Sequence, residues 1–378
     1  MISKLPDVTT TIFAVMSKMA QDYDAINISQ GYPNFSSDPK LIEAVSTAMK
    51  AGFNQYAPMP GDILLRERIA QKINKAYGSS YSAEADITVT AGATQAIFTA
   101  IASTVHKGDE VIVFSPAYDC YEPAIELFGG IPVPIQMKPP VFRPDWDEVS
   151  DNIGLNTRMI IINSPHNPSG MLFSETDMIE LQRLVVENDL LVISDEVYEH
   201  IIFDGNLHQS AARFPELAER TFITASFGKT FHNTGWKMGY CVASSHLMQE
   251  FRKVHQYNVF SVNHPIQKAL ASYLEDPETY LGLSGFYQAK RDYFLSLISG
   301  SRFKFVPSGG TYFQLLDYSD ISDKGDLQFT EWLTKEKGLA TIPTSVFNRS
   351  GEDFRQVRVC FAKTDETLEA AAQIINKL

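Results

Sequence analysis

The sequence predicts an α/β protein organised around a mostly parallel sheet covered by helices on both faces. Two observations lead there. Short apolar runs rich in β-branched residues recur between longer helix-like segments, and unusual polar residues stand at the carboxyl ends of those runs. Near-continuous apolar runs suit strands buried on both faces, and helices are the usual connections between parallel strands.

In order, DITVTAG (86–92) reads as a strand ending in glycine, and ATQAIFTAIASTV (93–105) as a buried helix closed by the turn HKGD. DEVIVFSP (109–116) is the next strand, AYDCYEPAIELFGG the next helix, and IPVPIQM (131–137) another extended piece. TRMIIINSP (157–165) stops at a proline, SETDMIELQRLVVEND forms a helix, and LVISDEV (191–197) and RTFITASF (220–227) are further strands. Toward the end, KFVPSGGTYFQLLDYSD and RQVRVCFAK suit shorter antiparallel strands, with helices in EWLTKEKG and DETLEAAAQIINKL. The division expected is a large domain over 41–284 and a small one from 1–40 plus 285–378, since 378 residues correspond to two or three domains of about 100–200 each.

Composition narrows the function. A net charge of −13, from 32 basic and 45 acidic side chains, argues against nucleic acid or an anionic membrane as the main partner. Three scattered cysteines without a CxxC pair argue against a zinc knuckle or a disulfide scaffold, so no metal is expected and a reducing, cytoplasmic location is. The opening residues lack the apolar stretch of a signal or spanning segment, so no membrane is expected.

Ligands of parallel sheets gather beyond the carboxyl ends of the strands, where Asn163, Asp195, Ser226 and the GAT of residues 92–94 stand. Asp195 is either a surface-loop carboxylate or one held at the sheet rim to pair with a cationic ring nitrogen; Tyr198 would then donate toward the same ring. Lysines are mostly solvated, but Lys229 follows an apolar strand and precedes the packed TFHNTGWKMGY. A lysine with a lowered pKa can act as a nucleophile and carry a proton. Ser226 and Lys237 suit phosphate by hydroxyl donation and positive charge, and the amides at 92–94 suit it as a helix N-terminus, although that stretch equally suits an ordinary tight turn. Tyr118 is placed either to stack on a planar group or to fill the core.

The segment SFGKTFHNTGWKMGY resembles the cofactor-lysine segment of the fold-type I, class I aminotransferases. NQYAPMPG, NSPHNPSG, SDEVYEHIIFDG, VHQYNVFSVN and RVCFAKTDETLEAAAQIINKL extend the resemblance over nearly the whole chain. It is strongest to the methionine branch and to the kynurenine branch, also called glutamine transaminase K or cysteine-conjugate β-lyase. The family implies a seven-stranded, mostly parallel sheet, pyridoxal 5′-phosphate as cofactor, a homodimer, and transfer of an amino group from an amino acid to a 2-oxo acid. By resemblance, Lys229 holds the cofactor, Asp195 partners its ring nitrogen, Asn167 and Tyr198 contact its phenolic oxygen, and Tyr118 stacks on it. Gly92, Ala93, Thr94, Ser226 and Lys237 match the phosphate cup, with Tyr56 reaching it from a neighbouring subunit. Arg358 matches the grip on the substrate carboxylate, and Gly31 lies beside it. Phe13, Tyr32 and Phe260 correspond to the side-chain pocket, whose apolar character points to methionine, phenylalanine and tyrosine, with glutamine or kynurenine as further donors. Arg355 falls outside the motif and is expected at the surface.

This chain departs from many class I enzymes in carrying Lys237 rather than arginine, from many kynurenine enzymes in carrying His166 rather than asparagine, and from the kynurenine enzyme in carrying Phe13 rather than tryptophan. Two other readings stand beside transamination: β-elimination from cysteine S-conjugates, and a non-enzymatic binding protein on the same fold.

Overall fold

The computed structural model describes residues 2–6 and 8–378. Its twelve strands are β1 (Ile26–Asn27), β2 (Ile87–Thr90), β3 (Glu110–Ser115), β4 (Ile131–Gln136), β5 (Thr157–Asn163), β6 (Leu191–Asp195), β7 (Thr221–Ser226), β8 (Gly239–Val242), β9 (Phe313–Asp317), β10 (Leu339–Ala340), β11 (Ile342–Pro343) and β12 (Gln356–Cys360). A seven-stranded sheet runs β2-β8-β7-β6-β5-β3-β4. Its pairs are parallel except those made by β8, which is antiparallel to both β2 and β7.

Alternation along each strand sorts its side chains onto two faces. Val111, Val113, Met159, Ile161 and Ile193 pack with Ala96, Ile97, Ala100 and Ile101 of the helix Ala93–Thr104. Their neighbours Ile112, Phe114, Ile160, Ile162 and Val192 belong to the larger core on the opposite side, with Met178, Leu181 and Val185 of the helix Glu175–Glu187. Both faces are covered, which is why these strands read as unbroken apolar runs.

Six of the seven strands coincide with the runs identified in the sequence. The seventh, β8, was not anticipated: it begins inside the lysine motif, at Gly239, and its four residues are too few to stand out as a run of their own. The helix expected over AYDCYEPAIELFGG is shorter, Tyr121–Leu127, because residues 117–120 form the turn that presents Tyr118. The late strands are antiparallel as expected, β12 lying between β11 and β9. A small parallel pair, β1 with β10, joins the beginning of the chain to this region. Among the described residues, no helix is long and apolar enough to cross a membrane.

Candidate active site

A cavity of about 300 Å³ opens at the carboxyl ends of β5, β6 and β7. Sixteen residues were assigned to the site from the sequence. All line this cavity except Tyr56 and Phe260.

One end is built from backbone. The helix Ala93–Thr104 begins at Gly92 with no side-chain cap, so the amides of its first turn face the cavity unmasked. Gly92 has φ +81°, and a Cβ there would stand 3.3 Å from Lys237 Nζ. Lys237 itself is left-handed, at φ 53°, after the 3₁₀ turn Thr234–Trp236. Ser226 closes this end from the last position of β7.

The floor holds Asp195, the last residue of β6. Its Oδ2 accepts from the Tyr121 hydroxyl at 2.5 Å and its Oδ1 from the Val197 amide at 3.3 Å. Burial pushes its pKa up to about 6, against the lowering effect of those two hydrogen bonds. Asn163 is a strut beneath it: Nδ2 donates to the Asp195 carbonyl at 2.9 Å, and Oδ1 accepts from the Asn167 amide at 2.7 Å. Tyr118 stands half-buried to one side, its ring 5.9 Å from Tyr121. Tyr198 is buried against Tyr312, ring centroids 5.2 Å apart.

Lys229 lies between the floor and the far end. Its pKa is lowered to about 8, chiefly by burial and also by Arg358 and Lys237, with Cys360 and Asp195 opposing them. Its Nζ donates to the Gly31 carbonyl at 2.9 Å, which also accepts from the Tyr312 hydroxyl at 2.7 Å. A Cβ at Gly31 would meet the Phe313 ring at 2.7 Å, so a side chain here would force that buried ring to shift.

Arg358, on β12, makes the far end and is 1% exposed. Its Nη1 donates to Asn167 Oδ1 at 2.9 Å and its Nη2 to the Ser29 carbonyl at 3.2 Å, while its buried Nε has no partner. The guanidinium lies 3.9 Å from the Phe313 ring centroid and 5.2 Å from that of Phe13. Asn167 spends its oxygen on Arg358, so its amide nitrogen remains to donate into the cavity. Tyr32 lines the mouth, with Lys363 Nζ 4.9 Å from its ring centroid.

Tyr56 and Phe260 lie outside the cavity, 81% and 46% exposed, packed on one another at 5.4 Å. Arg355 points to solvent and pairs with Asp323 at 3.1 Å, as expected. His166 does not line the cavity: it is buried between Ser169 and the Pro116 carbonyl, and burial lowers its pKa to about 4. Sequence reasoning missed Tyr121 and Phe313, and left Asn163 without a partner.

The arrangement combines a buried acid, a lysine of lowered pKa and two cationic ends within an acidic protein. Comparison with known proteins agrees with that chemistry. Residues 23–375 match the family model for aminotransferase class I and II. The methionine aminotransferase of Escherichia coli K12 is 48% identical over 377 residues, spanning 100% of this chain and 98% of that protein. Kynurenine–oxoglutarate transaminase 3 of Homo sapiens is 34% identical, spanning 98% of this chain and 89% of that protein. A crystal structure of an Escherichia coli protein reported to have a methionine aminotransferase function superimposes with TM-score 0.98 at 48% identity, spanning 100% of this chain and 99% of that one. This chain belongs to the class I and II aminotransferases.

Proposed function

We propose that the chain transfers amino groups using pyridoxal 5′-phosphate, with methionine and aromatic amino acids as preferred donors. The observation that carries the reading is one cavity holding Asp195, Lys229 and Arg358, with burial raising the acid's pKa and lowering the lysine's. The residues fit the cofactor. The uncapped helix start beside Gly92, with Ser226 and Lys237, offers amides, a hydroxyl and a cation to a phosphate. Asp195 is a buried acid that gains from a cationic partner such as a protonated ring nitrogen. Asn167 and Tyr198 would hold the phenolic oxygen, and Tyr118 the ring face. When bound, the cofactor supplies an aldehyde that captures an amino group and a ring that accepts an electron pair.

The chain's own side chains do the rest. Arg358 lines the cavity and binds the donor's α-carboxylate through its paired N–H groups. Phe13, Phe313 and Phe347 around the guanidinium exclude water, which strengthens that grip. Lys229, whose amine is partly neutral near pH 8, removes the proton from the substrate α-carbon and can return it elsewhere. The Gly31 carbonyl offers a resting partner for that amine. Phe13 and Tyr32 bound the side-chain space, and their apolar surface favours methionine and aromatic donors. The identity with a methionine aminotransferase supports the same preference.

The same reading divides the chain at 41–284 and 1–40 plus 285–378. In support, the seven-stranded sheet falls wholly within the first part and the two smaller sheets within the second. Tyr56 and Phe260 form an exposed aromatic pair suited to a second copy, through which they would reach the partner's site. Free cysteines suit a cytoplasmic location. A screen of amino donors against several 2-oxo acids, following both products, tests the substrate assignment. Methionine and aromatic donors should lead it, and a preference for acidic donors would overturn it. Sizing of the active species should give a dimer; a fully active monomer would refute that part.

A further inference from the structure

The turn leaving β6 has two sides. Asp195 and Tyr198 line the cavity, whereas Glu196 and Glu199 are buried in hydrogen bonds to elements outside it. Glu199 Oε1 accepts from Lys72 Nζ at 2.5 Å and from the Tyr240 hydroxyl at 2.8 Å; its Oε2 accepts from the Tyr77 hydroxyl at 3.0 Å. Lys72 and Tyr77 come from the helix Ile63–Tyr77 and Tyr240 from β8, so two distant elements converge on one carboxylate. Lys72 Nζ also lies 3.0 Å from His200 Nε2. Burial pushes that imidazole down to about 3, so the neutral ring accepts from the ammonium. Glu196 is held in turn by the Ser194 hydroxyl at 2.8 Å, the Ala211 amide at 3.0 Å and His208 Nε2 at 2.8 Å.

Both members of the Lys72–Glu199 pair have side chains only 6% exposed. Such a pair is a poor source of net stability, because desolvation offsets much of the Coulomb attraction. What it does impose is geometry. The Glu199 amide donates to the Glu196 carbonyl at 2.9 Å and the Ile201 amide to the Tyr198 carbonyl at 2.8 Å, so the turn is internally braced. Clamping residues 196 and 199 from behind therefore fixes the backbone that aims 195 and 198 forward. We propose that Lys72 and Glu199, with Tyr77 and Tyr240, are positioning residues that hold Tyr198 and Asp195 in register with the cofactor. The inference rests on the cofactor contacts proposed above for those two side chains.

Two variants test it: Lys72→Met, which removes the cation, and Tyr240→Phe, which removes one hydrogen bond and keeps the ion pair. Amide hydrogen exchange on the cofactor-free protein should show protection at 196–201 reduced at least about tenfold in Lys72→Met and about threefold in Tyr240→Phe, with β3 and β5 unchanged. In the holoenzyme kcat should fall in the same order, KM for the amino donor should stay within about twofold, and the pH midpoint of the cofactor's absorbance should shift. A lowered melting temperature with unchanged local exchange, kcat and midpoint would overturn the proposal, leaving the cluster a part of the core. Should Lys72→Met fail to fold, Tyr240→Phe decides alone by the same readouts. Tyr198→Phe serves as the reference. If it keeps wild-type turnover and spectrum, the proposed cofactor contact fails, while the exchange data still test the clamp itself.

Discussion

At the Gly92 end of the cavity, positive potential comes from backbone amides at a helix start, with Ser226 and Lys237 added from the neighbouring strand and turn. At the Arg358 end it comes from one guanidinium, buried among aromatic rings and hydrogen-bonded to Asn167 and Ser29, 191 and 329 residues away in sequence. The first end is preformed by secondary structure and spreads its task over many groups. The second is assembled from distant segments and concentrates its task in one side chain. Loss of one group should therefore be buffered at the Gly92 end and severe at the Arg358 end.

The sharpest test of that contrast is Arg358→Ala. Removing a buried, aligned charge partner costs about 2–5 kcal/mol, or roughly thirty- to several-thousand-fold in kcat/KM. The loss should be similar for methionine, phenylalanine and tyrosine, because all share the carboxylate, and cofactor absorbance should be retained. Steady-state kinetics with each donor checks this; a donor-dependent loss would mean that Arg358 reads side chains.

A smaller effect is expected from Gly92→Ala at the other end. Gly92 has φ +81° and ψ 169°, a region L side chains rarely enter, and the new methyl would crowd Lys237 Nζ. About 1–2 kcal/mol of strain should weaken cofactor retention about tenfold, while kcat at saturating cofactor stays within about twofold. Equilibrium dialysis and saturating-cofactor kinetics separate the two quantities. A large fall in kcat would erase the contrast between the ends.

The smallest effect is one of pH, at the lysine between them. Burial disfavours the Lys229 ammonium, so between about pH 8 and the usual lysine range the folded chain binds fewer protons there than the unfolded chain. Its stability contribution should therefore rise with pH across that window. Modification of Lys229 in the cofactor-free protein by an amine-selective reagent should show a midpoint near 8, read by peptide mass analysis. A midpoint at the ordinary lysine value would show that burial does not activate the amine.

The contrast between the two ends also explains what the sequence revealed. Local features were legible: the apolar runs of β3, β5 and β6, the glycine before the helix Ala93–Thr104, and the polar residue closing each strand. Motif resemblance added Arg358 and Asn167 and gave Lys229 its role. Features made by folding were not legible. The Tyr121 hydroxyl reaches Asp195 across 74 residues of chain, and Lys72 reaches Glu199 across 127. Nothing in ILLRERIAQKINKAY distinguishes the buried Lys72 from the solvated lysines of an ordinary helix. β8 escaped for the same reason, since its place between β2 and β7 depends on pairings far apart in sequence.

Amino transfer divides into two halves, and the first half can be isolated. Holoenzyme given L-methionine without any 2-oxo acid should release the corresponding 2-oxo acid in an amount stoichiometric with active sites, liberate no ammonia, and stop. Adding a second 2-oxo acid should restart it and return the amino group as a new amino acid. Continuous release of ammonia, or no oxo acid from the first half, would contradict the account.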